Sequence, residues 1–184
     1  MRIISGFLKG REVLGYDLVG TRPTMDRVKE SVFGMIQGYL KDAICLDLFA
    51  GSGNLGFEAI SNGATTCYFI DNNKNCLKKI KENANNFNLT KEVELFNSDY
   101  NLALKKLATS KIKFNIVFLD PPYKELIILD VCAKLIALDL LANDSVVVAE
   151  MEDNYIGDIN PSGLILLKSR KYGSKYVNVY KYTK

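Results

Sequence analysis

The chain has 184 residues, 48% of them hydrophobic, and a net charge of +3, which suits one globular domain with a large core and no membrane helix. It contains no histidine, which excludes Ser-His-Asp and Cys-His nucleophilic sites, histidine-ligated metals and imidazole acid–base catalysis. Its four cysteines form no Cys-x-x-Cys pair and its start lacks an apolar signal segment, so we expect a reduced, cytoplasmic protein without a metal.

The first 40 residues predict a small hairpin followed by a helix. Residues 2–20 alternate loosely and are punctuated by four glycines, which is typical of a short hairpin. Thr24 is suited to cap a helix, and Asp26 to its first turn. Apolar side chains then recur at helical spacing as far as Leu40. We treat residues 1–40 as an appendage to a domain formed by residues 41–184.

From Ala43 onward, buried strands and amphipathic helices alternate along the chain. This order predicts an α/β fold with a doubly wound, mostly parallel sheet flanked by helices. The last two strands, Leu164–Leu167 and Tyr176–Tyr182, read as a closing antiparallel pair. The preceding strands are Ala43–Phe49, Thr66–Ile70, Val93–Phe96, Ile112–Leu119 and Ser145–Ala149, and the helices are Leu55–Asn62, Lys74–Phe87, one containing Leu102 to Leu107, and Leu126–Leu138.

The fourth strand ends in the most informative motif, Asp120-Pro121-Pro122-Tyr123. Two prolines cannot extend a strand, so the motif lies at the carboxyl edge of the sheet, where open α/β sheets bind ligands. A carboxylate, a carbonyl and an aromatic plane together suit a planar base that carries an exocyclic amine. The alternative is a strand-ending turn with a surface tyrosine. We predict that these four residues are catalytic.

A glycine turn, Asp47-Leu48-Phe49-Ala50-Gly51-Ser52-Gly53, follows the first strand and enters a helix. Such a turn lets a ligand approach backbone N–H groups closely. With Gly56 it satisfies Gly-x-Gly-x-x-Gly, which is weak evidence alone and gains from its place between strand and helix. Asp47 would repel a pyrophosphate and attract an ammonium or a sulfonium.

Acidic side chains also end the next two strands. Asp71 stands where an acid accepts from a ribose diol, and Asp99 with Tyr100 could bind and cover an adenine. The alternative for each acid is a helix cap. Taken jointly, the acids favour S-adenosylmethionine over NAD, whose phosphates would meet Asp47. The predicted cofactor site comprises Asp47, Phe49, Ala50, Gly51, Gly53, Asp71, Asn72, Asp99 and Tyr100.

The two motifs resemble the cofactor loop and catalytic motif of class I methyltransferases that act on amino groups. The segments from Arg2 to Arg11 and from Arg22 to Glu30 resemble, more narrowly, the bacterial 16S ribosomal RNA guanine-N2-methyltransferase family. The resemblance implies a Rossmann-like sheet of seven strands in the order 3-2-1-4-5-7-6. It also implies S-adenosylmethionine as methyl donor and a guanine of small-subunit RNA as acceptor. Asn54 departs from the small residue expected at its position.

The basic side chains concentrate at the two ends of the chain. Residues 1–41 carry seven basic and four acidic side chains, and residues 165–184 carry six basic side chains and no acid. This distribution fits a polyanion held by the termini, although lysines that protect edge strands are the alternative that charge alone favours. We expect a monomer bound to 16S RNA or to a small-subunit assembly intermediate. The predicted RNA contacts are Arg22, Thr24, Arg27, Lys29, Arg170 and Lys171.

In the hypothesised mechanism an extruded guanine lies against Tyr123 and donates its N2 hydrogens to Asp120 and the Pro121 carbonyl. Three rivals remain open at this point. They are amino methylation of DNA, a nucleotide-dependent oxidoreductase, and a non-catalytic RNA-binding scaffold. The tail tyrosines Tyr172, Tyr176, Tyr180 and Tyr182 are assigned to strand packing rather than to base stacking.

Overall fold

The computed structural model describes residues 1–15, 23–121, 125–152 and 163–184, without the side chains of residues 23–25, 125, 126 and 152. The described residues form one sheet of seven strands, in the order β3-β2-β1-β4-β5-β7-β6. This confirms the predicted α/β class and strand order. Three predicted site residues, Arg22, Pro122 and Tyr123, lie outside the described residues, as does the side chain of Thr24.

In the described parts of the chain, five α-helices surround the sheet. Five of the strands, β1 to β4 and β7, are predicted to within two residues at each end, and α3 has the predicted bounds. The strands are β1 Ile44–Asp47, β2 Thr66–Asp71, β3 Val93–Asn97, β4 Phe114–Leu119, β5 Leu141–Glu152, β6 Leu164–Tyr172 and β7 Lys175–Tyr182; the helices are α1 Pro23–Ile36, α2 Asn54–Ser61, α3 Lys74–Phe87, α4 Tyr100–Thr109 and α5 Glu125–Ala137.

Strands β1 to β5 pair in parallel, and β7 runs antiparallel between β5 and β6. Strand β5 is longer than predicted at both ends, running from Leu141 to Glu152. Its sequence from Ala142 to Asp144 has the polar composition of a loop, which is why the local pattern missed it. Leu141 pairs with β4, and the residues from Glu150 to Glu152 pair with β7, so each neighbouring strand extends β5 at one end.

The sheet separates two hydrophobic clusters. Alternate side chains of the central strands enter each cluster, as they must where both faces are buried. On one face, Cys45, Phe69 and Phe118 pack beneath α1, α2 and α3. On the other, residues such as Leu46 and Val117 pack beneath α4 and α5. None of the described helices is long and apolar enough to cross a bilayer.

Within residues 1–15, the part of the predicted hairpin that the structure describes, there is one antiparallel bridge, between Arg2 and Glu12. The reason lies in helix α2, because the buried Glu58 carboxylate accepts from the backbone N–H groups of Ile4 and Ser5, at 3.0 and 2.8 Å. Those amides are therefore not available for a strand ladder. Ile3 is fully buried in the hydrophobic cluster that lies beneath α1, α2 and α3. The N-terminal appendage therefore shares the core of the domain.

Candidate active site

Four carboxylates line the carboxyl edge of strands β2, β1, β4 and β5. Two residues before each carboxylate there is a side chain that is buried in the cluster beneath α1, α2 and α3. Because side chains alternate along a strand, all four carboxylates share that face of the sheet. They border a cleft of about 1090 Å³. Among the described residues no three acids or cysteines are arranged to hold a metal ion. The four acids, from β2 to β5, are Asp71, Asp47, Asp120 and Glu150.

The glycine turn between β1 and α2 forms one wall of the cleft. Gly51 and Gly53 have φ values of 52° and 77°, the left-handed region that favours glycine. A Cβ atom on Gly56 would lie 2.2 Å from the Phe69 ring, so only glycine lets α2 pack this closely on β2. The predicted pattern is therefore structurally required, by the turn at its first two glycines and by helix packing at its third.

The carboxylate of Asp47, the last residue of β1, lies at the N-terminal turn of helix α2. Its Oδ2 accepts from the Gly56 N–H at 3.2 Å, and the residue is only 4% exposed. Burial raises the pKa of Asp47 to about 7; the Gly56 hydrogen bond opposes the rise, and the negative charges of Asp120 and Asp71 add to it. The position where a dinucleotide fold would bind pyrophosphate thus already holds a carboxylate. The site favours a cation over NAD.

Asp71 connects two loops at the end of β2. Its Oδ2 accepts from the Gly51 N–H and its Oδ1 from the Asn73 N–H, each at 2.8 Å. The alternative that Asp71 caps helix α3 is wrong, because the capping side chain is Asn73, which accepts from the Asn75 N–H at 2.9 Å. Asp71 therefore holds the glycine turn against β2 while its carboxylate borders the cleft.

Asp99 caps helix α4, as one of its two interpretations predicted. Its Oδ1 accepts from the N–H groups of Asn101 and Leu102, at 2.9 and 3.1 Å. The neighbouring Tyr100 ring lies 5.7 Å from that of Phe49, and both rings line the cleft. The Tyr100 hydroxyl donates to Asp130 Oδ2 at 3.1 Å. Ala50 and Asn72 line the same part of the cleft. We call the part around Asp47, Asp71 and Asp99 the cofactor half.

Asp120 and Pro121 border the same cleft from the end of β4. The Asp120 residue is exposed, whereas Pro121 is buried. The charge of Asp120 is close enough to Asp47 to raise its pKa. The structure therefore brings the predicted catalytic acid and the predicted cofactor acid together, although they lie more than 70 residues apart in sequence.

Three further residues line the cleft with Asp120 but were not predicted as site residues, and one of them, Tyr172, was assigned to strand packing. Glu150 lies near the carboxyl end of β5 and forms an ion pair with Lys175, the first residue of β7. Tyr172 also lines the cleft, and its buried hydroxyl has no hydrogen-bond partner within the described parts of the chain. An acid ending a strand was a usable signal for Glu150, whereas Lys175 arrives only through the antiparallel return. We call Asp120, Pro121 and these three residues the acceptor half.

The structure corrects the prediction that Lys29 contacts RNA. Lys29 is only 5% exposed, and its Nζ donates to Glu58 Oε2 and Asn54 Oδ1, each at 3.0 Å. It neutralises a buried carboxylate and cannot at the same time reach a phosphate. This also accounts for Asn54, whose amide oxygen is a partner for the ammonium. A charged residue within the apolar helix α2 was the missed signal for Glu58.

The other described candidates for RNA contact are at the surface. Arg27, Arg170 and Lys171 are exposed. Arg170 donates to Ser31 Oγ at 2.9 Å, so β6 and α1 meet beside the cleft. Lys171 lies 5.2 Å from the centre of the Tyr176 ring. Tyr180 and Tyr182 are buried, which confirms their predicted packing role.

The chain is similar to known proteins along almost its whole length. The family model described as "Conserved hypothetical protein 95" matches residues 1–181. The "Putative rRNA methyltransferase YlbH" of Bacillus subtilis is 37% identical over 181 residues, 98% of each chain. The "Ribosomal RNA small subunit methyltransferase D" of Escherichia coli is 34% identical over 152 residues, 83% of this chain and 75% of that one.

A solved structure agrees with these relatives. The "Putative methyltransferase yhhF from Escherichia coli" superposes with a TM-score of 0.87 at 28% identity, covering 100% of this chain and 98% of that one. The similarity thus extends across both the N-terminal segment and the sheet. The chain belongs to the family of the small subunit methyltransferase D proteins, as the resemblance of its motifs predicted.

Proposed function

We propose that the protein transfers a methyl group from S-adenosylmethionine to the exocyclic N2 amine of a guanine in 16S ribosomal RNA. The observation that carries this proposal is the acidic edge of the cleft. The Asp47 carboxylate lies at the helix N-terminus where a phosphate would bind in a dinucleotide fold, and Asp120 is close enough for its charge to raise the pKa of Asp47. A cationic ligand and an amine that becomes cationic both suit such an edge.

The cofactor half fits S-adenosylmethionine. The open glycine turn accepts a ligand close to the backbone, Asp47 offers a charge to its cationic part, and Asp71 and Asp99 offer acceptors to hydroxyl and amino groups. Phe49 and Tyr100 supply flat apolar surface for a base. When bound, S-adenosylmethionine supplies an electrophilic methyl group on a sulfonium.

The acceptor half orients the amine. Asp120 accepts one N2 hydrogen and the Pro121 carbonyl accepts the other, which directs the nitrogen lone pair towards the methyl group. As the new N–C bond forms, the bond between the methyl group and sulfur would break, its electron pair would stay on sulfur, and S-adenosylhomocysteine would leave as a neutral thioether. The nitrogen becomes cationic, and the Asp120 carboxylate stabilises that charge and takes the released proton. Because Asp120 is exposed, it returns the proton to solvent. The undescribed Pro122 and Tyr123 complete this motif in the proposal, with the tyrosine stacking on the base.

The basic surface beside the cleft binds the RNA backbone. Arg27 from α1 and Arg170 and Lys171 from β6 are exposed, and the Arg170–Ser31 contact joins the two elements into one surface. In this proposal residues 1–40 form the RNA side of the molecule, with Arg22 and Thr24 contributing to it. The protein acts as a monomer, in the cytoplasm where ribosomal RNA is assembled.

The experiment offers labelled S-adenosylmethionine to the purified protein with four acceptors. They are unmethylated 30S subunits, naked 16S RNA, 23S RNA and double-stranded DNA. We expect label in 16S RNA or 30S subunits alone, and mass spectrometry of the digested RNA should find it as N2-methylguanosine. Label in DNA would instead favour amino methylation of DNA. Binding of the donor without label in any acceptor would favour the non-catalytic scaffold.

A further inference from the structure

We propose that Glu150 and Lys175 recognise the target guanine by its Watson–Crick edge, with Tyr172 as a second donor. This inference rests on the proposed function, because it assigns the base selectivity of the same cleft. Glu150 would accept from the guanine N1–H, and Lys175 and Tyr172 would donate to O6. Asp120 and Pro121 remain the partners of the reacting N2 amine.

The strand register places these groups side by side. Leu119 of β4 is paired with Ala149 of β5, so Asp120 and Glu150 follow on adjacent strands, about 5 Å apart in the sheet. Glu150 is in turn paired with Val177 of β7, two residues from Lys175 on the same face. The polar groups at the edge therefore run in the order carboxylate, carboxylate, ammonium.

The edge of guanine presents a complementary order. Its N2 amine and N1–H are donors, and its O6 is an acceptor. Read from β4 towards β7, two carboxylates meet the two donors and an ammonium meets the acceptor. Adenine would place an unprotonated N1 acceptor against the Glu150 carboxylate and an amino donor against the Lys175 ammonium, so both contacts would be repulsive. The arrangement thus selects guanine by repulsion as well as by attraction.

The tip of the β6–β7 hairpin supplies the donors for O6. Tyr172 and Lys175 are directly paired across the turn at Gly173 and Ser174. Tyr172 lines the cleft, and its buried hydroxyl has no hydrogen-bond partner among the described residues, so a ligand acceptor that reached it would satisfy it. Val177, two residues after Lys175 on β7, also lines the cleft and would give the base an apolar surface.

The Glu150–Lys175 ion pair prepares the two groups for this role. Glu150 is about one-fifth exposed and Lys175 about one-half. Each side chain is therefore held in place by an ion pair while part of its surface stays accessible to a ligand. A charge pair that is ordered before binding reduces the entropy lost when the base enters.

The test compares guanine with 2-aminopurine at the target position, once that position has been mapped in unmethylated 30S subunits. 2-Aminopurine keeps the N2 amine but lacks the N1 hydrogen and O6. Ligated 16S RNA carrying either base is reconstituted into subunits, and kcat/KM is measured for the wild type, Glu150→Gln, Lys175→Met and Lys175→Arg. Glu82→Gln on α3, which breaks an exposed ion pair far from the cleft, is the matched control.

We expect the wild type to prefer guanine by about 100-fold, since hydrogen bonds to charged groups are each worth about 10- to 100-fold. Glu150→Gln should reduce that preference to about fivefold, because an amide can donate to a bare N1. Lys175→Met should also reduce it, whereas Lys175→Arg and Glu82→Gln should preserve it. S-adenosylmethionine affinity, measured by calorimetry, should not change.

An unchanged guanine preference in both Glu150→Gln and Lys175→Met would overturn the inference, since a merely structural ion pair lowers activity on both bases alike. In that case the proposed function would still stand. If the wild type methylates no guanine in any small-subunit substrate, the proposed function and this inference are both overturned.

Discussion

The two halves of the cleft hold their acidic groups in different ways. In the cofactor half, backbone N–H groups fix each carboxylate, as Gly56 does for Asp47 and Gly51 for Asp71. In the acceptor half, a charged side chain restrains another, as Lys175 does for Glu150. Backbone contacts give a site of constant shape, which suits one invariant ligand. Side-chain pairs can be exchanged for others without altering the fold, which suits a surface that selects a substrate.

Replacing Asp120 with alanine separates the two halves most sharply. We expect kcat for methyl transfer to 30S subunits to fall by about 10⁴-fold, because the amine loses both its alignment and its charge stabilisation. The affinity for S-adenosylmethionine should stay the same or improve slightly, since Asp120 repels charge on Asp47. Calorimetry and labelled-methyl transfer measure the two effects, with Glu82→Ala as control. An equal loss of cofactor affinity would contradict the division into halves.

Glu58→Ala tests a charge that serves no ligand. It removes the partner of the buried Lys29 and the acceptor for the Ile4 and Ser5 amides. We expect the free energy of unfolding to fall by about 3–5 kcal/mol, the usual effect of breaking a buried ion pair. Urea unfolding followed by circular dichroism measures the loss. The double variant Lys29→Met/Glu58→Gln should recover part of it, and a loss below about 1 kcal/mol for Glu58→Ala would contradict the assignment.

Asp47→Asn should separate charge from shape within the cofactor half. The amide oxygen can still accept from the Gly56 N–H, so the turn should remain intact. We expect the affinity for S-adenosylmethionine to fall by about 10- to 100-fold through loss of the charge.

The folded-state pKa of Asp47, about 7, lies above its ordinary value of 3.8, so the wild type loses stability as pH rises through 7. Asp47→Asn should therefore melt at a higher temperature than the wild type at pH 8, as a thermal scan would show.

The ease of prediction differs between the halves for a physical reason. The cofactor half is built from local signals, because a strand, an acid and a glycine turn follow one another in sequence. Asp47, Asp71 and Asp120 could each be read from a strand end, and the strand order followed from the family resemblance. The same rule applies to Glu150, which directly follows the predicted strand end at Ala149, as Asp120 follows Leu119.

The unpredicted features depend on contacts distant in sequence. Lys175 reaches the cleft only because β7 returns antiparallel beside β5. Lys29 looked like a surface cation, and its partner Glu58 lies 29 residues later. Neither pairing leaves a periodic pattern, since a single buried charge in a helix resembles an exposed one until its neighbours are known. Charge placement was therefore the least predictable property of this chain.

The smallest expected effect, and the most direct measure of the cofactor half, is the pH dependence of binding. In the free protein Asp47 has a pKa of about 7, so at pH 6 most of the population is protonated and at pH 8 most is ionised. A cationic ligand binds the ionised form better, and its affinity should rise about tenfold between pH 6 and pH 8. At pH 7 binding should release about half a proton, detectable by calorimetry in two buffers of different ionisation enthalpy. Asp47→Asn should remove both effects, whereas a wild type with flat affinity and no proton release would mean that Asp47 does not sense the charge of the ligand.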